Sequence, residues 1–160
     1  MIGLLGRALR PGASNAYEPS AEDLDRHREL WEARLTEDAG PLELHEFGWW
    51  WTSGRLTQPE DLKRLAITLQ LAGGKLGDIR RGVDLLANVV DGEAGLLEPA
   101  LEVLYALAQT RTAISQNIKP DSIAAVLKLG LADEGQREGA ADLVHRFGEQ
   151  GYLTLRGLLD

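Results

Sequence analysis

Metal binding and proton transfer would fall first to the three histidines, His27, His45 and His145, which lie far apart in the chain. A helical zinc site needs two imidazoles one turn apart, as in His-Glu-x-x-His. His45-Glu46 opens such a pattern, but Trp49 stands where the second histidine belongs. The sequence therefore predicts hydrogen-bonding imidazoles and no metal or other cofactor. Gly73-Gly74-Lys75-Leu76-Gly77 invites a phosphate-loop reading. Such a loop needs a strand before it, wider glycine spacing and Ser or Thr after the lysine to hold magnesium. Here a helical pattern precedes it and Leu76 follows Lys75, so a glycine helix stop and interhelical turn is the better account. Ser20, Ser53, Ser115 and Ser122 lack the Gly-x-Ser-x-Gly elbow and any visible His–Asp orienting pattern. The carboxylate pairs Glu60-Asp61 and Asp133-Glu134 fall at expected helix starts, where capping and the helix dipole explain them. With no cysteine, thiolate metal sites, Cys nucleophiles and disulfides are excluded. No local pattern predicts an enzyme, although a site assembled from distant residues would leave no such pattern.

Two features suit binding better than catalysis. Lys63-Arg64, Lys75 and Arg80-Arg81 form the one local departure from acidity, and the Gly73-Gly74 turn could bring them to neighbouring surfaces. A small basic spot of that kind meets phosphate or an acidic partner. The formal net charge of -8 opposes general affinity for nucleic acid or anionic lipid, so a weak nucleic-acid contact is the lesser reading beside ordinary surface ion pairs. The second feature is Trp49-Trp50-Trp51, three of the four tryptophans side by side. Successive helical residues point about 100° apart, so three adjacent indoles need walls on more than one side. Burial between neighbouring helices is the plain expectation. The alternative is one exposed indole, Trp51 beside Thr52-Ser53-Gly54 being the candidate, as an anchor for a partner. Trp50, Trp51, Lys75, Arg80 and Arg81 are thus the candidate partner-binding residues.

The elements that would carry these residues are helical throughout. Leucine and alanine are common, alternating strand patterns are hard to find, and the nearest, Tyr152 to Arg156, is short and followed by Gly157. After an irregular arm over residues 1–20, Ser20 can cap a helix with Leu24, His27, Trp31 and Leu35 on one stripe. The tryptophan helix follows from Leu42 to about Thr52. Thr57-Gln58-Pro59-Glu60 has the capping-box arrangement, and Leu62, Leu65, Ala66 and Leu69 repeat at one-sided helical spacing. Ile79, Val83, Leu86 and Val90 mark the next helix, in which Gly82 permits a neighbour to come close. Leu97, Leu101, Leu104 and Ala108 mark another; Pro120-Asp121 starts one carrying Ile123, Val126, Leu127 and Leu131. Asp133 can cap a last long helix with Ala140, Leu143, Val144 and Phe147, and the tail from Gly151 should fold back as a short terminal helix.

Six to seven helices joined by short, breaker-rich links read as an all-α fold: a short right-handed stack of antiparallel helix pairs, one domain over residues 21–160. The Pro99 and Pro120 helix starts and the Asp133-Glu134 start resemble degenerate HEAT or armadillo-type repeats, from about Glu43 onward. Phe47-Gly48-Trp49-Trp50, together with the run from His145 to Leu153, is similar to C-terminal helical regions of large uncharacterised bacterial multidomain proteins, some of them defence-type. The HEAT-like resemblance implies an α-solenoid with a groove lined by one helix of each pair. It implies a non-catalytic module that binds another protein or domain, and the second resemblance an alternative role as the scaffold or sensor part of a defence-type protein. The first ten residues are too short and too interrupted by Arg7 and Arg10 to span a membrane. A soluble cytoplasmic protein without membrane contact, or a piece of a larger one, is expected.

Overall fold

The computed structural model describes residues 18–35 and 38–160, and the arm expected over residues 1–20 lies outside them except for its last three positions. The described residues form seven α-helices and no strand: α1 (Ala21–Arg34), α2 (Pro41–Trp51), α3 (Pro59–Leu71), α4 (Ile79–Gly92), α5 (Leu97–Thr110), α6 (Pro120–Ala132) and α7 (Arg137–Glu149). Two 3₁₀ segments, Ala94–Leu96 and Leu153–Leu158, complete the path, the second being the terminal turn expected of the tail. No helix among the described residues is long and apolar enough to cross a membrane.

The helix ends follow local chemistry. Ser20 caps α1 through a reciprocal box, its hydroxyl accepting the Asp23 amide while the Asp23 carboxylate accepts the Ser20 amide at 2.9 Å. The α3 start departs from expectation by one residue. Gln58, not Thr57, is the cap position, and Asp61, not Glu60, reaches back to the Gln58 amide at 3.0 Å. The reason is tertiary, because Asp61 is also the carboxylate that α1 engages. The α3 stop is the Gly73-Gly74 turn: the Gly74 amide donates to Leu69 O and the Gly73 amide to Gln70 O, both glycines having positive φ. That pair of bonds is a Schellman motif, which accounts for the two glycines without a phosphate. Asp133 works one turn ahead of expectation. Its Oδ1 accepts the Gly135 and Gln136 amides, and α7 begins only at Arg137.

The helices α1, α3, α4 and α5 pack most closely on a helix two places along, whereas α2, α6 and α7 pack most closely on a neighbour in sequence. The α3 helix packs most extensively on α5; α4 lies against α2 and α6, and α5 against α7. Alternate helices therefore lie side by side, α1, α3, α5 and α7 in one layer and α2, α4 and α6 in the other. The core runs between the layers, with Leu62, Leu65, Leu69, Leu86, Leu104, Leu107, Leu127 and Val144 almost fully buried.

The tryptophan helix is enclosed from several sides, as the angular spacing of its rings requires. Trp50 is fully buried with its ring edge-on to Phe47, Trp31 and His27, at 5.0, 6.4 and 4.9 Å between centroids. Trp51, also fully buried, points toward α4, where its indole Nε1 donates to Gly82 O at 2.9 Å. A Cβ at position 82 would stand 2.9 Å from the Trp51 ring, so the glycine is what admits the indole. At Gly48 the backbones themselves approach: a Cβ there would fall 2.6 Å from Gly77 N, while the Gly77 amide donates to His45 O at 2.8 Å.

Candidate interaction surfaces

The polar centre of the structure joins α1 to α3. Asp61 is fully buried, and its carboxylate accepts Arg28 Nε at 3.0 Å and Arg64 Nη1 at 3.0 Å besides the Gln58 amide. Burial works against the charge of Arg28, but the bonds to Asp61 and Asp25 more than offset it and hold the guanidinium above its ordinary value. Arg64 continues outward to Glu32 at 2.7 Å. One turn deeper, Trp31 Nε1 donates to Thr68 Oγ1 at 2.9 Å, and that hydroxyl donates to Arg64 O at 2.6 Å. Every charge in this centre meets its opposite, so the arrangement ties two helices together rather than presenting a reactive group.

The basic spot expected from the sequence is therefore divided. Arg64 belongs to the α1–α3 tie and Lys63 pairs with Glu60 at 3.2 Å. Lys75, Arg80 and Arg81 are exposed and form no ion pair among the described residues. The exposed-anchor reading of the tryptophans is corrected: Trp50 and Trp51 have no exposed surface, because α1 covers one and α4 the other. Trp49 is the half-buried member of the three, its indole Nε1 only 2.6 Å from where a Gly77 Cβ would be.

The histidines stand on α1, α2 and α7 and do not converge. His27 Nδ1 lies 2.6 Å from Asp23 O, which makes it the protonated ring nitrogen, with Trp50 against the ring. His45 is half-buried and His145 exposed. Among the described residues no histidine hydrogen-bonds a carboxylate, and no three His, Cys, Asp or Glu residues are grouped to hold a metal ion.

The outer face of the α1, α3, α5, α7 layer is furrowed instead. Between α1 and α3 a charged furrow of about 600 Å³ runs past Asp25, Glu29 and Glu32. Between α3 and α5 one of about 340 Å³ is lined by Lys63, Ile67, Gln70, Glu102 and Tyr105. Between α5 and α7 a third, of about 230 Å³, shares Glu102 and Tyr105 and adds Leu101 and Leu143. Tyr105 forms the ridge between the last two, with the Arg146 guanidinium 4.7 Å over its ring. A hydrogen bond to Asp142 holds that guanidinium above its ordinary value, against the cost of burial. Sequence reasoning passed over Ile67 and Tyr105. The signal was their position, since each is an apolar or aromatic residue off the stripe of its helix, and Ile67 is 45% exposed.

No protein-family model, no curated protein and no solved structure matches this chain.

Proposed function

We propose that this chain is a non-catalytic helical module, of the HEAT-like kind its helix starts resemble, that binds another protein or domain across the face formed by α1, α3, α5 and α7. The observation that carries the reading is the succession of furrows on that one face, the last two meeting at the Tyr105 ridge beside exposed Ile67. An aromatic ridge with aliphatic neighbours inside a polar rim is the composition of a protein-binding surface. Support also comes from the polar centre, whose buried charges are consumed in holding α1 on α3 and leave none poised for acid–base work.

The test is affinity capture of the tagged chain from lysate of its own source, with and without nuclease, beside the double variant Ile67→Glu, Tyr105→Ala. A discrete protein that survives nuclease and is lost with the double variant is the expected result. A partner retained by the double variant would place binding elsewhere. A partner lost on nuclease treatment would favour nucleic-acid contact through Lys75, Arg80 and Arg81, the lesser reading.

A further inference from the structure

The two ends of the helical stack carry opposite charge. At one end the α3–α4 and α5–α6 loops meet: Gly74 O accepts both the Thr112 hydroxyl and the Gln116 side-chain amide, and Gln150 Nε2 donates to Ala108 O at 2.8 Å. Lys75, Arg80, Arg81, Arg111 and Lys119 are exposed there, and none forms an ion pair among the described residues; the acids at this end include exposed Asp121 and Glu149 and the half-buried Asp78 in the α3–α4 loop itself. Arg111 adopts φ 55°, an uncommon conformation for a long side chain. In the same loop Ile114 is 54% exposed, seated against Gly151. The sequence shows these cations as scattered singles; only the loop-to-loop hydrogen bonds collect them.

The other end, one helix length or about 20 Å away along α5, is where α4 and α6 finish and α5 and α7 begin. A cleft of about 400 Å³ opens there, with Val90, Leu97 and Leu129 in its lining and Asp91, Glu93 and Asp133 around it. Neither α4 nor α6 has a basic residue in its last turn, so their carbonyl ends add to the negative potential. Exposed Glu98, Glu134 and Glu138 extend the acidic area and outnumber the two exposed cations there, Arg137, which donates to Leu131 O, and Lys128, which lines a neighbouring groove with Asp91.

We propose that copies of this chain associate end to end, the cationic loop end of one copy seating on the acidic cleft of the next. Ile114 supplies the apolar contact for the cleft lining, and the five cations face the carboxylate rim. The net charge of -8 opposes association at a distance, but distant charges are screened by salt more than charges in contact. The contact is head-to-tail, joining two different surfaces, so it propagates into rings or filaments instead of stopping at a two-fold dimer. It shares with the furrowed face only Glu98, at the edge of the α5–α7 furrow, and makes no use of Ile67 or Tyr105, so its test is separate from that of the function proposed above.

The test is sedimentation of the full chain up to millimolar concentration at low and high salt, with two charge-reversed variants. One carries Arg80→Glu and Arg81→Glu, the other Asp91→Lys and Glu93→Lys; all four sites are exposed, and circular dichroism checks that each variant keeps its helices. Wild-type chain should self-associate, and more weakly at high salt. Each variant alone should lose at least tenfold in association, and the two mixed should pair again, because each retains the end the other needs. A wild-type chain that stays monomeric throughout would overturn the proposal, as would variants that associate as well as wild type or fail to pair when mixed. Nucleic acid that co-purifies with wild type and is lost with the arginine pair would overturn it too, by assigning the basic end another ligand.

Discussion

The first two helices and the last three are held in place by different physics. Large rings and paired charges seat α1 and α2: Trp31 stacks on Phe47 at 5.4 Å, Trp50 turns edge-on to both, and Arg28 reaches the buried Asp61. Between α5, α6 and α7 the contact is made mostly by small and aliphatic side chains, with Phe147 the large ring buried among them and edge-on to Tyr152 at 5.8 Å. A Cβ at Gly130 would lie 2.8 Å from Ala140 Cβ and 3.3 Å from both Leu101 methyls, so α6 sits close to its neighbours. Polar atoms appear there at the margin, as where buried Tyr152 donates its hydroxyl to Ile118 O at 2.8 Å. A ring contact depends on orientation and a buried carboxylate on every partner, whereas close aliphatic packing depends on volume alone. The first region should thus fail when one group is removed, and the second when one is added.

The strongest way to break this comparison is Trp50→Ala. It empties a fully enclosed site against three rings and should cost about 4 kcal/mol, read from urea unfolding. A cost under 1 kcal/mol would mean that α1 and α2 do not depend on that ring. Next, Asp61→Ala should cost about 3 kcal/mol, because it strands Arg28 and Arg64 beside each other without their shared acceptor. A double-mutant cycle with Arg28→Met sharpens this, since the second change should recover part of the loss. In the other region, Gly130→Val should cost about 2 kcal/mol by overpacking against Ala140 and Leu101. A neutral Gly130→Val would show that α6 can move away, and the proposed difference between the regions would collapse.

The smallest effect concerns pH. The Arg34 hydrogen bond holds the Glu43 carboxyl below its ordinary 4.5, against the cost of burial. A lowered folded value means the α1–α2 tie contributes fully above 4.5 and is lost as pH falls through the folded value. Thermal midpoints of wild type and Glu43→Gln should therefore differ at pH 6 and converge in acid. A constant gap would show that the Arg34–Glu43 pair does not titrate with folding.

Much of the fold was legible because helices announce themselves locally. The breaker pairs Gly40-Pro41 and Gly73-Gly74 and the prolines at 59, 99 and 120 fall at or near helix limits, and the tail forms its short terminal turn. Gly82 was readable as a site of close approach, although not that an indole would use it. The surfaces were harder to read. Burial of the indoles was the plain expectation, and the alternative of an exposed Trp51 failed because adjacency in sequence says that three indoles need several walls, not which neighbour supplies each wall. Lys63 and Lys75 looked alike as isolated cations, yet one is paired on its own helix and the other is left at a loop end. Ile67 and Tyr105 were visible only as residues off the stripe, a signal too common to single out a furrow.

By itself the sequence determined that the described residues are all-helical, where most of their helices begin and end, and which stripe faces inward on every helix but α2. Those outcomes rest on contacts within about four residues: the capping boxes, the breakers and the spacing of leucines. Only the tertiary structure decided that alternate helices lie side by side, that Asp61 serves α1 as well as its own cap, and that cations from two loops share one end of the stack. Stripes that are all leucine and alanine fit many partners equally well. The choice among them is made by the few bulky or charged groups, Trp50, Trp51 and Asp61, whose geometry only one arrangement satisfies.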